Sequence, residues 1–465
     1  MHRDSRGLVL TTESAEAALL FDRAVSEYLE YRKSAMATLK EVIEIDPGFS
    51  LAHCMIGCLF MLFGSHALDG KVDVALRQAE SLAARATPRE QRHVAALSAW
   101  RKGDVDRAIQ AWDDVLIEHP QDLLAMRLQH FALFWAGQSY RMRDAIARAI
   151  GRLDEAMPGY GHALGMYAFG LEECGDYAAA ERKGRRAVAM SADDLWAVHA
   201  VAHVLEMQGR LDEGTSFLAQ PYGTWDDRNP FRQHLWWHTA LFPLELGQYD
   251  RALDLYDRAI RAERSDFYLD IQNAASMLFR LEWCCVDIGG RWRELADVAE
   301  QRIEDHVLAF TDLHLMLALC RDGRLPVAER LLASFRAFAP TSYNSAAATM
   351  QPAAIPIAEA MLAYARADYG AAVDRLIASR YRWPVVGASH AQRDLFTLLL
   401  IAAAEKSDRR TLAGALLAER IQIKPHSVVN WLHYGDALDK IGDPTAAAAA
   451  RARASSEGPR STAAA

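Results

Sequence analysis

Apolar residues return every three or four positions along almost the whole chain, and the two-residue alternation of half-buried strands is nearly absent. The pattern predicts helices, with Pro and Gly gathered between them. Two helices are expected over Ser14–Ile45, stopped by Asp46, Pro47 and Gly48. A strongly apolar helix (SLAHCMIGCLFMLFGS) and a more polar one (VDVALRQAESLAARA) follow, the latter closed by Thr87 and Pro88.

Beyond that point one motif recurs. A helix ends in Gly and a polar residue, an apolar residue follows, and Ala comes a few positions later: GDVDRA at Gly103, GDYAAA at Gly175, GQYDRA at Gly247, DGRLPVA at Gly323, ADYGAA at Ala367 and GDPTAA at Gly442. GRLDEG at Gly209 carries Gly214 in the alanine slot, and the segment near Gly137 is looser. Gly137, Gly175, Gly209 and Gly247 are spaced by 38, 34 and 38 residues. A period near 34, with Gly at the turn and small residues where helices touch, is the tetratricopeptide signature. Gly allows the left-handed turn, and Ala lets two backbones approach. The closing unit, NWLHYGDALDKIGDPTAAAA, has Trp431, Tyr434, Gly435, Leu438, Gly442 and Ala447 in register. The expected fold is therefore all-α, a tetratricopeptide-like solenoid of antiparallel helix pairs. Residues 1–88 open it, residues 89–452 form the repeats, and 453–465 (ASSEGPRSTAAA after Arg453) are expected to be disordered. The segments Ala219–Phe231, Arg264–Asp270 and Thr341–Ile355 break the pattern, and such excursions gather on the face where ligands arrive.

Composition narrows the class. A net charge of −9 argues against a general nucleic-acid binder. No apolar run reaches the roughly 18–20 residues of a membrane span, and MHRDSRGLVL lacks a signal-peptide core. Six scattered cysteines without a CxxC pair suit reduced, buried thiols and a cytoplasmic setting. There is no phosphate-binding Gly loop and no GxSxG elbow, which disfavours nucleotide hydrolysis and serine-hydrolase chemistry.

The candidate chemistry lies between Leu195 and Glu245, where His199/His203 and His234/His238 are each four residues apart. That spacing puts both rings of a pair on one helix face. With the turn glycine as position 15 of each repeat, the four histidines fall on inward-facing positions of consecutive first helices, together with Trp196, Glu206 and Trp237. His162 and Glu172 take equivalent positions one unit earlier, and His390 and Arg393 begin a later helix behind Ser389, which suits an N-cap.

Three readings of these residues follow. The rings can be hydrogen-bonded members of a packed interior among tryptophans. They can line a concave groove that holds a small polar ligand or peptide segment, with Arg393 as a further donor. They can form a divalent-metal or acid–base site, with His199, His203, His234 and His238 as ligands and Glu172 and Glu206 completing the shell. HAVAH lacks the glutamate that follows the first histidine of HExxH enzymes. The binding protein is the leading expectation, an enzyme and a protein–protein scaffold the alternatives, and a homo-oligomer is compatible with all three.

Several long stretches resemble the tetratricopeptide repeat protein 38 family: Ala168–Glu181, Asp194–Gly214, His234–Asp257, Asn273–Glu282 and Ser389–Phe396. The resemblance extends over most of the chain and implies a helical-repeat protein. It brings no settled activity with it.

Overall fold

The computed structural model describes residues 1–219, 225, 227–340 and 344–457. Helices follow one another from Ala15 to Glu457, and the one sheet among the described residues is a hairpin pairing His2–Arg3 with Val9–Leu10. The chain is a tetratricopeptide-like solenoid of helix pairs. Representative pairs are Tyr160–Glu172 with Tyr177–Met190, and Leu195–Met207 with Leu211–Leu218.

The recurring turn has a two-part physical basis. Gly103, Gly137, Gly175, Gly209, Gly247, Gly323 and Gly442 all have positive φ, and Ala367 adopts the same left-handed conformation at 61°. The next polar residue often starts the following helix. Asp104 and Asp176 accept hydrogen bonds from the backbone N–H of Arg107 and Ala179, supplying an acceptor for one of the donors that a helix start leaves unpaired.

Gly137 and Gly214 have no room for a side chain. A Cβ on Gly137 would lie 1.8 Å from the Pro384 carbonyl oxygen, so the last third of the chain presses on this turn. A Cβ on Gly214, the residue in the alanine slot, would lie 2.2 Å from the Phe242 ring. Phe242 is fully buried on the helix that carries His234 and His238.

The superhelix winds tightly enough for distant units to meet. Arg280 Nη2 donates to the Ala391 carbonyl over 3.0 Å, and Lys424 Nζ donates to Glu206 Oε1 over 2.8 Å. Such contacts bring distant units together across the interior, and the main hydrophobic core runs from Leu10 to Ala437.

Other expectations meet the structure as follows. All six cysteines are free; Cys54, Cys58 and Cys320 are buried, but Cys285 is exposed, so the thiols are not uniformly interior. The last helix runs from Pro444 to Glu457, continuing through the first residues of the expected tail. Residues 458–465, 341–343, 220–224 and 226, which include parts of two irregular segments, lie outside the described residues. No helix among the described residues is long and apolar enough to cross a membrane.

Replacing Gly214 with Ala should push Phe242 off its packing and cost about 1–3 kcal/mol of stability, measured by chemical denaturation. An unchanged midpoint would mean that the Phe231–Glu245 helix shifts freely.

Candidate metal centre

Two adjacent first helices, Leu195–Met207 and Phe231–Glu245, carry the histidine pairs. Asp194 starts the first helix by accepting from the N–H groups of Trp196 and Ala197 at 3.0 and 3.1 Å. His162 Nδ1 stands 3.1 Å from the other Asp194 oxygen. His162 thus steadies the cap of the histidine helix and is not part of the cluster.

The four rings meet in one place. Ring centroids are 4.4 Å apart for His199/His203, 4.4 Å for His203/His238, 5.0 Å for His199/His234 and 4.8 Å for His234/His238. His199 Nε2 lies 3.0 Å from His203 Nε2 and 3.1 Å from His234 Nε2. One ring nitrogen from each of the four lies within 4.8 Å of the others. All four side chains are at most 3% exposed.

The opposite edges of three rings face acceptors, His234 through a hydrogen bond and His203 and His238 at ion-pair distance without one. His234 Nδ1 is 2.8 Å from Asn273 Oδ1, His203 Nδ1 is 3.5 Å from Glu172 Oε2, and His238 Nδ1 is 3.4 Å from Glu206 Oε2. Both carboxylates are anchored from behind by late parts of the chain. Glu172 Oε1 lies 2.6 Å from His390 Nε2, and Glu206 Oε1 accepts from Lys424. Lys424 also lies 3.5 Å from Glu245, whose other oxygen accepts from the Ser427 hydroxyl.

Electrostatics follow from this layout. Burial pushes the Glu172 carboxyl up, but His390 and His203 beside it bring it down to about 2. Glu206 is likewise raised by burial and then held well below the usual range by Lys424 and His238. Burial, reinforced by neighbouring imidazoles, keeps His199 and His234 well below the ordinary histidine value and brings His238 to about 4. On the far side of Glu172, burial lowers His390, but Glu172 and Glu173 outweigh it and lift the ring to about 9.

A neutral imidazole has one proton for two nitrogens. An ionised carboxylate and an amide oxygen only accept, so with neutral rings His203, His234 and His238 carry their protons on Nδ1. Their Nε2 lone pairs then face inward. His199 Nε2 can donate to one of its two close neighbours and must oppose the other. A cation at the meeting point removes that conflict. Four nitrogens around a tetrahedral ion with arms of about 2.0–2.1 Å stand roughly 3.3 Å apart, close to the observed 3.0 and 3.1 Å. The Nδ1 partners are the carboxylate and carbonyl contacts that orient metal-ligating histidines.

Aromatic rings wall the centre. Trp237 stacks on His234 at 5.3 Å and 9°, and Trp196 and Phe169 pack on His199 at 4.9 and 5.2 Å. Trp236 is elsewhere, against Trp225. Arg393 donates to the Gly387 and Ala388 carbonyls and lies 3.7 Å from Glu173, so it fastens the turn before its helix. Ser389 caps that helix in a reciprocal arrangement with Gln392.

Lys424, Ser427 and Asn273 escaped the sequence reading. Lys424 precedes Pro425 and resembles an ordinary polar residue at a helix end. Only the winding of the superhelix brings it to Glu206.

No protein-family model matches the chain. Among solved structures, the human IFIT1 dimer with m7Gppp-AAAA is similar at 13% identity over 96% of each chain, with a TM-score of 0.41. Naa15/Naa10 bound to HypK-THB is similar at 12% identity, covering 94% of this chain and 68% of that one, with a TM-score of 0.25. The P58(IPK) TPR domain is similar at 12% identity, covering 81% of this chain and 95% of that one, with a TM-score of 0.22. These superpositions are too loose to transfer a site, and the fold assignment rests on the helix pairs of the chain itself.

Replacing Lys424 with Met leaves the Glu206 carboxylate buried without its ammonium and should cost about 3–5 kcal/mol in chemical denaturation. Adding Glu206→Gln should restore much of that loss. A double variant no more stable than Lys424→Met would show that some other group neutralises Glu206.

Proposed function

We propose that this chain is a metalloprotein whose His199, His203, His234 and His238 hold one divalent transition-metal ion and present it to a small molecule. The observation that carries the reading is the convergence of the Nε2 edges while three Nδ1 edges face acceptors. An all-imidazole set suits Zn, Cu, Fe or Ni. The buried carboxylates Glu172 and Glu206 contribute negative charge that offsets the cation without ligating it.

Access supports a role beyond structural stapling. His199 and His234 line a small chamber of about 90 Å³, whereas His203 and His238 face the carboxylates on the other side. Four imidazoles fill a tetrahedral shell, so a ligand oxygen arriving from the chamber would be bound and polarised as a fifth ligand; metal-assisted Lewis-acid chemistry by that route is the enzyme reading of the same residues. The ligand named here is a small molecule that reaches a buried centre, which replaces a peptide lying in an open groove. The capped oligonucleotide named with human IFIT1 stays with that protein; the net charge of −9 gives no reason to extend it here. The segments similar to the tetratricopeptide repeat protein 38 family contain all four histidines, Asn273 and His390, which supports placing the chain with that family.

Protein purified without chelators should contain about one equivalent of metal by elemental analysis, and the Co(II)-loaded form should show the visible absorption of a tetrahedral nitrogen site. His199→Ala and His238→Ala should each lower metal affinity at least tenfold while leaving the helical circular dichroism intact. Wild-type protein that neither carries metal nor binds added Zn, Co or Ni more tightly than a His199→Ala/His238→Ala double variant would refute the reading.

A further inference from the structure

The chamber beside His199 and His234 adjoins a larger space. Its walls include Leu62, Phe131, Trp135 and Tyr268, and these same four residues also wall a cavity of about 340 Å³. The outer cavity is lined mainly by apolar side chains, among them Trp100, Leu308, Pro352 and Val386, with Asp106 the only charged residue among the described ones that line it. Ser345, Ala346 and Thr349, from the irregular segment after Thr341, form part of its rim.

The inner chamber has a different character. Four of its lining residues carry a buried polar atom with no hydrogen-bond partner among the described residues: Tyr28 Oη, Tyr31 Oη, Trp196 Nε1 and His199 Nδ1. These residues are 7%, 6%, 2% and 2% exposed. Unpartnered buried polar atoms are costly and rare in native interiors, and three of these four, the two tyrosine hydroxyls and the Trp196 N–H, are donors. Behind the chamber wall, the Arg127 guanidinium is 1% exposed and makes no ion pair among the described residues. It lies 4.7 Å from the Tyr31 ring, 4.7 Å from Phe131 and 4.6 Å from Trp196. The rings offset part of the desolvation cost of that cation, and the buried Asp194 carboxylate feels its charge without pairing with it, so its positive field reaches the chamber next to the face of the centre formed by His199 and His234.

We infer that the two spaces together bind a small amphiphile: an anionic oxygen head, such as a carboxylate, in the inner chamber, and an apolar body in the outer cavity. The head accepts from the Tyr28 and Tyr31 hydroxyls and is drawn by Arg127, while the body replaces water along Leu62, Phe131 and Trp135. This rests on the metal reading only for the extra oxygen contact at the histidine centre. The polar donors, the charge and the apolar cavity are independent of it.

The probes are acetate, butanoate, hexanoate and octanoate, with 1-octanol as the uncharged control, titrated into metal-loaded and chelator-treated full-length protein by calorimetry and tryptophan fluorescence. Affinity should rise roughly fourfold per methylene, the ratio that about 0.8 kcal/mol per buried CH₂ gives. Octanoate should bind at least tenfold more tightly than 1-octanol. Tyr31→Phe should weaken octanoate several-fold and leave 1-octanol almost unchanged, and Ala346→Trp, which fills the rim, should weaken octanoate more than acetate. Removing metal should weaken every carboxylate by a common factor and keep the chain-length slope. If the slope persists in protein that binds no metal, the amphiphile site stands and the metal reading falls. A flat chain-length series, or 1-octanol matching octanoate, in wild-type protein with metal bound would overturn the amphiphile site and leave the metal reading intact.

Discussion

The Lys424 ammonium, buried between Glu206 and Glu245, is the contact on which the interior arrangement depends. Taking three charged groups out of water is expensive, and the pairing compensates only if the geometry is kept. That geometry requires the end of the Arg410–Ile423 helix to lie against the two histidine helices, which are about half the chain away. The same juxtaposition fixes Glu206, Glu206 faces His238, and His238 faces the other imidazoles. His390 with Glu172 repeats the arrangement on the His203 side. Two of the four inward rings, His238 and His203, therefore face a carboxylate that a late segment of the chain holds in place.

This also explains why neutral rings can be stacked so densely. Bringing four imidazoles within contact distance is unfavourable if they are charged, and burial disfavours charge in His199, His234 and His238. The carboxylates confine the protons to the outer edges of two rings, and Asn273 does so for a third. What converges at the centre is electron density, which is the chemical content of a metal site.

Much of the fold was legible in the sequence because its determinants are local. A turn glycine, the Asp that follows it and the alanine on the next helix act within a few residues, and they recur often enough to reveal the period. Ala367 marks the limit of that legibility: the slot keeps its left-handed conformation without glycine, so the motif and not the residue identifies it. The histidine pairs were legible for the same reason, since a four-residue spacing and the register are local facts. Their surroundings were not. Lys424, Ser427 and Asn273 reach the centre from 218, 182 and 39 residues away from their partners, and nothing in a 34-residue period encodes such distances. The inward-facing histidine positions given by the register are buried for the same reason, because distant units meet over them through contacts such as Lys424 with Glu206.

The seam between distant units also changes how the molecule should be described thermodynamically. A linear array of repeats can fray from either end, each unit answering only to its neighbours. Here a helix end near residue 424 secures a carboxylate on a helix from the middle of the chain, so loosening the last units withdraws support from the centre. The repeats are assembled as a row but held as a ring. In such a topology the integrity of the C-terminal helices is reported at the histidine centre, far along the chain from where the damage occurs.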